Sequence, residues 1–451
     1  VITQPLKPDG SSDYIAALNE MGRKGLLPSK NAFVMWVRVV GPGIASGNHF
    51  EVLTMCGASS KPPAKVWESY SDYCASAHAA DAANDNLERA AQSVWKAADM
   101  PVLAAYLKDQ ADVMDRAQAA SSMPRWWTPM LNADGNTTLD GLTDVATALC
   151  ARATLCAGQR DFPGFFRDVM TAERLAHLIA GEPLVLRGLT ARRLQSAADR
   201  AIGAVAGKGL LSADQCVTLS KALDGLPPMR PLADAVDIGE RWSTLGLLVE
   251  TAQHPPNMFQ QSSTITLPLH TVEWTEVDWD RIFQATNAVY DRATKIVAAP
   301  TYAESQRLND AFTKQMIASS QGSRKPLWKK QGESRDAYSD RVANAFLSLV
   351  VPSVSGLART ECQARMESEM VHVILAAGQY RAKTGDWPTQ LASLSPHYLK
   401  HIPRDMYSKA GASPLGYILS DGGIRVYSIG PNGRDDAAQG DDLSLGPSSD
   451  H

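Results

Sequence analysis

The stretch Leu142-Thr-Asp-Val145-Ala-Thr-Ala-Leu149-Cys150-Ala-Arg-Ala153-Thr-Leu-Cys156-Ala-Gly158 decides the fold class. Leu142, Val145, Leu149, Ala153 and Cys156 recur at steps of three and four, the spacing of one face of an α-helix, and a glycine closes the run. Beyond it Phe162, Phe165, Val169, Ala172, Ala176 and Ile179 repeat the pattern and stop before Gly181. Two apolar stripes joined by a short connection predict an antiparallel helical hairpin. Pro183–Ala206 and Ser212–Leu223 predict another helix–turn–helix pair. Stacked hairpins of this kind form either a solenoid with a concave binding face or a plain helical bundle.

Towards the N-terminus, Asp13–Met21, Lys30–Val40, Ala82–Ala98 and Pro101–Ala120 predict further helices, with Pro101 suited to a first turn. Gly41-Pro42-Gly43 and Ser60-Lys61-Pro62-Pro63 break the chain between them. Towards the C-terminus the texture changes at Pro255-Pro256. Ser262–Val272 predicts a strand, held to a sheet edge by Pro268. Asp278 predicts the cap of a helix carrying Ile282, Thr286, Val289, Ala293 and Ile296, and Tyr302–Ser319 and Arg335–Val350 predict two more helices. Arg359–Lys383 is the clearest helix, with Met366, Met370, Val373, Ala377 and Tyr380 along one face and Gly385 ending it. The expected organisation is an N-terminal helical region over 1–130, helical hairpins over 131–254, a strand with helices over 255–355, and an α+β domain over 356–451. The fold class is mainly α, with a small C-terminal α+β module.

Composition limits the function. The 451 residues carry 44 Lys+Arg against 48 Asp+Glu, a net charge of −4, which offers no basic face for nucleic acid. The longest apolar run, Ala32–Val40, is too short to span a bilayer and contains Arg38. A membrane attachment would therefore depend on an N-terminal segment preceding Val1. The six cysteines form no CxxC pair, which argues against a structural zinc site. Cys56 and Cys74 flank a Ser/Pro-rich loop and either form a disulfide or stay as buried thiols.

Two constellations carry possible chemistry. His270-Thr-Val-Glu273-Trp274-Thr-Glu276-Val-Asp278-Trp279-Asp280 interleaves carboxylates with tryptophans. A polysaccharide hydrolase uses such groups, acids for proton transfer and indoles for stacking, so Glu273, Glu276 and Asp278 are the candidate catalytic residues. The simpler reading, and the favoured one, makes Asp278 a helix cap and the tryptophans packing anchors. His397 and His401 are spaced i,i+4, but Pro396 and Pro403 bracket them, so a metal-ligand role is disfavoured. The second constellation is Gly433-Arg434-Asp435-Asp436-Ala437-Ala438-Gln439-Gly440-Asp441-Asp442, whose clustered carboxylates suit either Ca2+ or solvent.

The last 90 or so residues resemble a known family. Tyr380-Arg-Ala-Lys-Thr-Gly385-Asp-Trp387-Pro388, Leu391-Ala-Ser-Leu394, Ile402-Pro403-Arg404-Asp405, Leu415-Gly416-Tyr417 and Tyr427-Ser428-Ile429-Gly430-Pro431-Asn432-Gly433 occur in the order found in the globular domain of the type II secretion major pseudopilin. The resemblance implies a long helix, a small antiparallel sheet, and a calcium ion in the loop after the strand end. Asp435, Asp436, Asp441 and Asp442 are its expected ligands. The processed hydrophobic helix and the Gly-Phe-Thr-Leu-x-Glu signature of a pseudopilin are missing, so filament assembly is not implied. The hairpins at 142–223 resemble tetratricopeptide-like units, with degenerate motif residues. Asp13-Tyr-Ile-Ala-Ala-Leu-Asn-Glu20, Pro28-x-x-Asn31-Ala32, Gly41-Pro42 and Val277-Asp278-Trp279-Asp280 resemble large uncharacterised envelope proteins of planctomycete-type bacteria. These likenesses imply an extracytoplasmic, envelope- or secretion-associated scaffold that binds an envelope protein or a polysaccharide, with an extracytoplasmic polysaccharide hydrolase as the alternative.

Overall fold

The computed structural model describes residues 4–41, 49–58, 63, 65–76, 86–131, 139, 141–254, 271–320, 327–351, 353–420 and 422–447. The N-terminal third contributes short helices: α1 (Tyr14–Arg23), α2 (Ala32–Val40), α3 (His49–Cys56), α4 (Tyr70–Ser76), α5 (Asn86–Ala91), α6 (Pro101–Asp109) and α7 (Ala111–Ser121). Four longer helices follow: α8 (Leu142–Gly158), α9 (Phe162–Ala180), α10 (Val185–Gly207) and α11 (Ala213–Asp224). A helical turn α12 (Leu232–Asp234) passes through a π-helical segment, Ala235–Glu240, into α13 (Arg241–Gln253). Then come α14 (Trp279–Val297), α15 (Tyr302–Ser320), α16 (Arg335–Val350) and the 31-residue α17 (Val354–Thr384). Strands β1 (Gly416–Ser420), β2 (Gly423–Ser428) and β3 (Leu443–Leu445) form one antiparallel sheet in the order β1-β2-β3.

Local chemistry sets these boundaries. Asp161 Oδ1 accepts from Gly164 N at 3.0 Å and starts α9. Ser212 and Gln215 form a reciprocal capping box at α11. Asp278 and Ser334 cap α14 and α16. Gly385 at φ 93° takes the left-handed conformation that ends α17. Two expected helices differ. Ala82–Ala98 is helical only over Asn86–Ala91 among its described residues. The chain then leaves the helix so that buried Trp95 can donate Nε1 to Ala151 O of α8 at 3.0 Å. Pro101–Ala120 is two helices, parted at buried Gln110, whose side chain accepts from Glu68 N. The expected strand Ser262–Val272 lies outside the described residues except for Thr271 and Val272, which are buried and not in a strand.

The hairpin α8–α9 forms as the spacing predicts, but α8 is buried on nearly every side rather than on one stripe. Its alanines let α5, α9 and α10 approach closely. α10 packs against α8 and α9 and also against distant α17 and β3. A solenoid unit touches only its neighbours, so this packing is that of a bundle closed around α10. Gly203 and Gly207 make the closure possible. A Cβ on Gly207 would lie 2.9 Å from Ile424 O and 2.8 Å from Pro447 Cδ, and one on Gly203 would lie 3.2 Å from Gly446 N. At Gly207 only bare backbone fits, and at Gly203 a side chain would make its neighbours give by a few tenths of an ångström. The sheet is tied to the preceding loop by Asp405. This fully buried carboxylate accepts from Tyr407 N, Ser428 Oγ and Ile429 N at 2.8–2.9 Å.

A second apolar cluster gathers α12 to α16 around Tyr290, Tyr338 and Phe346. α17 serves both clusters, with Val354 and Leu357 in the second and Cys362 to Ala377 in the first. At 1.5 Å per residue it is about 46 Å long, enough to run the depth of both. Among the described residues no helix is long and apolar enough to cross a membrane.

All six cysteines are buried free thiols, so Cys56 and Cys74 take the unbridged alternative. Burial pushes the Cys56, Cys156 and Cys362 thiols up to about 11 and the Cys216 thiol up to about 12. The thiolate is the reactive form. A disulfide-exchange reagent should therefore find no fast-reacting thiol in the native protein and six after denaturation. A native titre of one or more would contradict this packing.

Candidate functional site

Glu273, Glu276 and Asp278 sit at a joint between α14, α16 and the chain around Lys329. Glu276 pairs with Lys329 Nζ at 2.6 Å, and that ammonium holds its carboxyl below the usual range. Glu273 Oε1 accepts from Lys329 N at 3.1 Å, while its own N donates to Tyr338 Oη at 2.7 Å. Asp278 Oδ1 caps α14 by accepting from Arg281 N. Trp274 and Trp279 stack on each other, with centroids 5.5 Å apart and planes 9° from parallel. A general acid needs a pKa raised towards neutrality, and Glu276 moves the other way. Each group has a structural partner, and the two rings are spent on each other. His270 lies outside the described residues. His397 and His401 are exposed on turns and bends, so they share no helical face.

The acidic loop curls back on itself. Ala437 and Ala438 are consecutive non-glycine residues at positive φ, 55° and 64°. That curl brings carboxylate oxygens of Asp436, Asp441 and Asp442 within 4.8 Å of one another. Asn432 Nδ2 donates to Asp436 and Asp441, bridging two of them. Asp442 Oδ2 accepts from Asp436 N and Ala438 N, while its Oδ1 is buried without a partner among the described residues. Partial burial and the neighbouring Asp436 and Asp435 raise its pKa. Asp435 turns away from the trio and accepts from Tyr427 Oη at 3.0 Å. Three of the four expected ligands therefore meet.

A cleft of about 920 Å3 opens between α1, the extended segment 123–130, the C-terminal end of α9 and the turn 225–230. Its wall is irregular backbone made rigid by side chains. Asn31 accepts from Trp127 N and donates to Trp127 O, and Asn19 does the same for Met130. Thr128 N donates to Glu182 Oε1 at 2.6 Å. Each amide thus replaces a missing strand partner. Glu182 in turn pairs with Arg187 Nε at 3.0 Å, both essentially out of solvent. Trp127 packs so closely on α1 that a Cβ on Gly22 would lie 2.2 Å from its ring.

Beneath this cleft lies a group that sequence reasoning missed. His177 lines the cleft and donates its Nδ1–H to Pro227 O. Burial lowers its pKa, which favours the neutral ring. Its Nε2 is 3.8 Å from Glu173 Oε2. Glu173 on α9, Asp199 on α10 and Glu367 on α17 are 1–2% exposed, and each has one oxygen that no N–H or hydroxyl donor reaches among the described residues. Glu173 and Asp199 face each other, and a hydrogen bond between them requires that one carry a proton. Burial raises both pKa values, and mutual repulsion raises Asp199 further. The available signal was an acid inside an apolar helical stretch, Ala172-Glu173 and Ala198-Asp199.

No protein-family model, curated protein or solved structure matches the chain. Its function rests on the chemistry of these sites.

Proposed function

We propose that this protein is a non-enzymatic scaffold or binding protein of the cell envelope or secretion apparatus. In this reading its C-terminal module is a pseudopilin-like domain braced by Ca2+, and its partner is an envelope protein or a polysaccharide. The supporting observation is the convergence of Asp436, Asp441 and Asp442 around a buried, unpartnered Asp442 oxygen. Ca2+ takes six to eight oxygens on flexible loops, so backbone carbonyls and water would complete the shell. The engagement of Glu273, Glu276 and Asp278 in capping and ion pairing supports the scaffold over the hydrolase.

The test is thermal melting in Ca2+ and in EDTA. A ligand at a hundred times its Kd stabilises by about 2.7 kcal/mol, so millimolar Ca2+ should raise the melting temperature by several degrees. Asp441→Asn with Asp442→Asn should erase the difference. Equal melting temperatures in Ca2+ and EDTA for the unsubstituted chain would remove the calcium brace.

A further inference from the structure

The cleft has an electrostatic character that neither the scaffold reading nor the acidic loop explains. Four cations line it, Lys24, Arg125, Arg174 and Arg230, against one carboxylate, Glu182. Glu182 is already matched by Arg187. Arg230 pairs with Asp234 at 3.5 Å. Arg125 donates to Gly22 O and Lys24 O, the carbonyls at the end of α1, and has no carboxylate partner among the described residues. Lys24 and Arg174 are exposed and have no ion-pair partner among the described residues. The rim thus holds uncompensated positive charge.

The walls between these cations are apolar. Trp126, Trp127, Met130, Leu178, Pro183 and Leu226 face the cleft, and Met21 is 37% exposed beside it. Methionine adapts to irregular apolar shapes and tryptophan offers a large flat apolar face, while the paired Asn19 and Asn31 clamps keep the wall itself fixed. A preformed apolar cleft of this volume with a few charged groups has the dimensions of a small-molecule site.

We infer that the cleft binds an amphipathic carboxylate, a single apolar chain whose head is met by Lys24 and Arg174. The apolar body lies against Trp127 and Leu178, and the guanidinium of Arg174 offers a planar fork suited to a carboxylate. The complementarity of charge sets the sign of the ligand, and the apolar walls exclude a small inorganic anion as the whole of it.

The test is calorimetric titration of the full chain with dodecanoate, dodecanol and acetate, each below its aggregation limit. Dodecanoate should bind once per chain at micromolar concentration, with dodecanol at least tenfold weaker and acetate silent. The double variant Lys24→Gln/Arg174→Gln, both at exposed positions, should keep its melting temperature and lose at least tenfold in dodecanoate affinity. Trp127→Phe should diminish the ligand-dependent change in tryptophan emission, leaving the share of Trp126, without abolishing binding. Equal affinity for dodecanol, an unchanged affinity in the double variant, or no saturable dodecanoate binding would each overturn the assignment. None of these outcomes depends on calcium, so failure here leaves the brace at Asp436, Asp441 and Asp442 standing.

Discussion

Glu182→Ala should lower the stability of the protein by about 3–5 kcal/mol, the range for breaking one side of a buried ion pair. Two losses combine. Arg187, 2% exposed, keeps its charge with its counter-ion removed, and Thr128 N loses its acceptor. Removing both charges should be far milder. Apolar replacements of similar volume often match or exceed a buried pair in stability, so Glu182→Leu/Arg187→Met should recover the part of the loss that comes from the uncompensated charge, while Thr128 N stays without its acceptor. Urea unfolding of Glu182→Leu, of Arg187→Met and of the double variant gives the coupling directly. If the double variant loses as much as the two single variants added together, the pair is not acting as a unit.

The second large effect concerns pH. Glu173 is pushed up to about 8 by burial, from an ordinary value of 4.5. Below about 4.5 folded and unfolded chains both hold the proton, and there is no penalty. Between there and about 8 the unfolded chain releases it while the folded one keeps it, so stability falls as pH rises. Above that window the penalty is constant. At ~1.4 kcal/mol per pKa unit the total is on the order of several kcal/mol. The surroundings bias it in one direction. Cys150 from α8 and Glu367 from α17 add negative or neutral groups, and among the cations Arg200 is engaged with Glu367 at 3.4 Å. Glu173→Gln replaces the shared proton with an amide that can donate to Asp199. It should raise the melting temperature at pH 8, change it little at pH 5, and flatten the slope between them. A slope identical to that of the unsubstituted chain would mean that the pair does not share a proton.

The helical pattern was legible because periodicity is a local property. Arg335–Val350 is reproduced to the residue, and Asp278 caps the helix it was expected to cap. The small antiparallel sheet near the C-terminus was expected only through a resemblance, and three strands do pair there. The bundle closure was not, because Gly203 and Gly207 read locally as weak helix formers, and their partners lie beyond residue 420. The cleft was hidden for the same reason. Lys24, Trp127, Arg174 and Arg230 come from four separate segments, and no spacing rule connects them. At the acidic loop the cluster was readable from composition, but the outward turn of Asp435 depends on Tyr427, eight residues away. The buried carboxylates were misjudged by default, since an isolated acid on a helix is normally placed in solvent.

The glycine-lined face of α10 also constrains the order in which the molecule is made. Gly203 and Gly446 are about 240 residues apart, and closing such a loop is entropically costly. A ribosome that has released α8 to α11 has exposed a groove whose cover, residues 423–447, has not been synthesised. Helical hairpins can form during translation, but this core must wait for the sheet to arrive. Nascent chains stopped before residue 423 should remain protease-sensitive at α10, and protection should appear abruptly once residue 447 has left the exit tunnel.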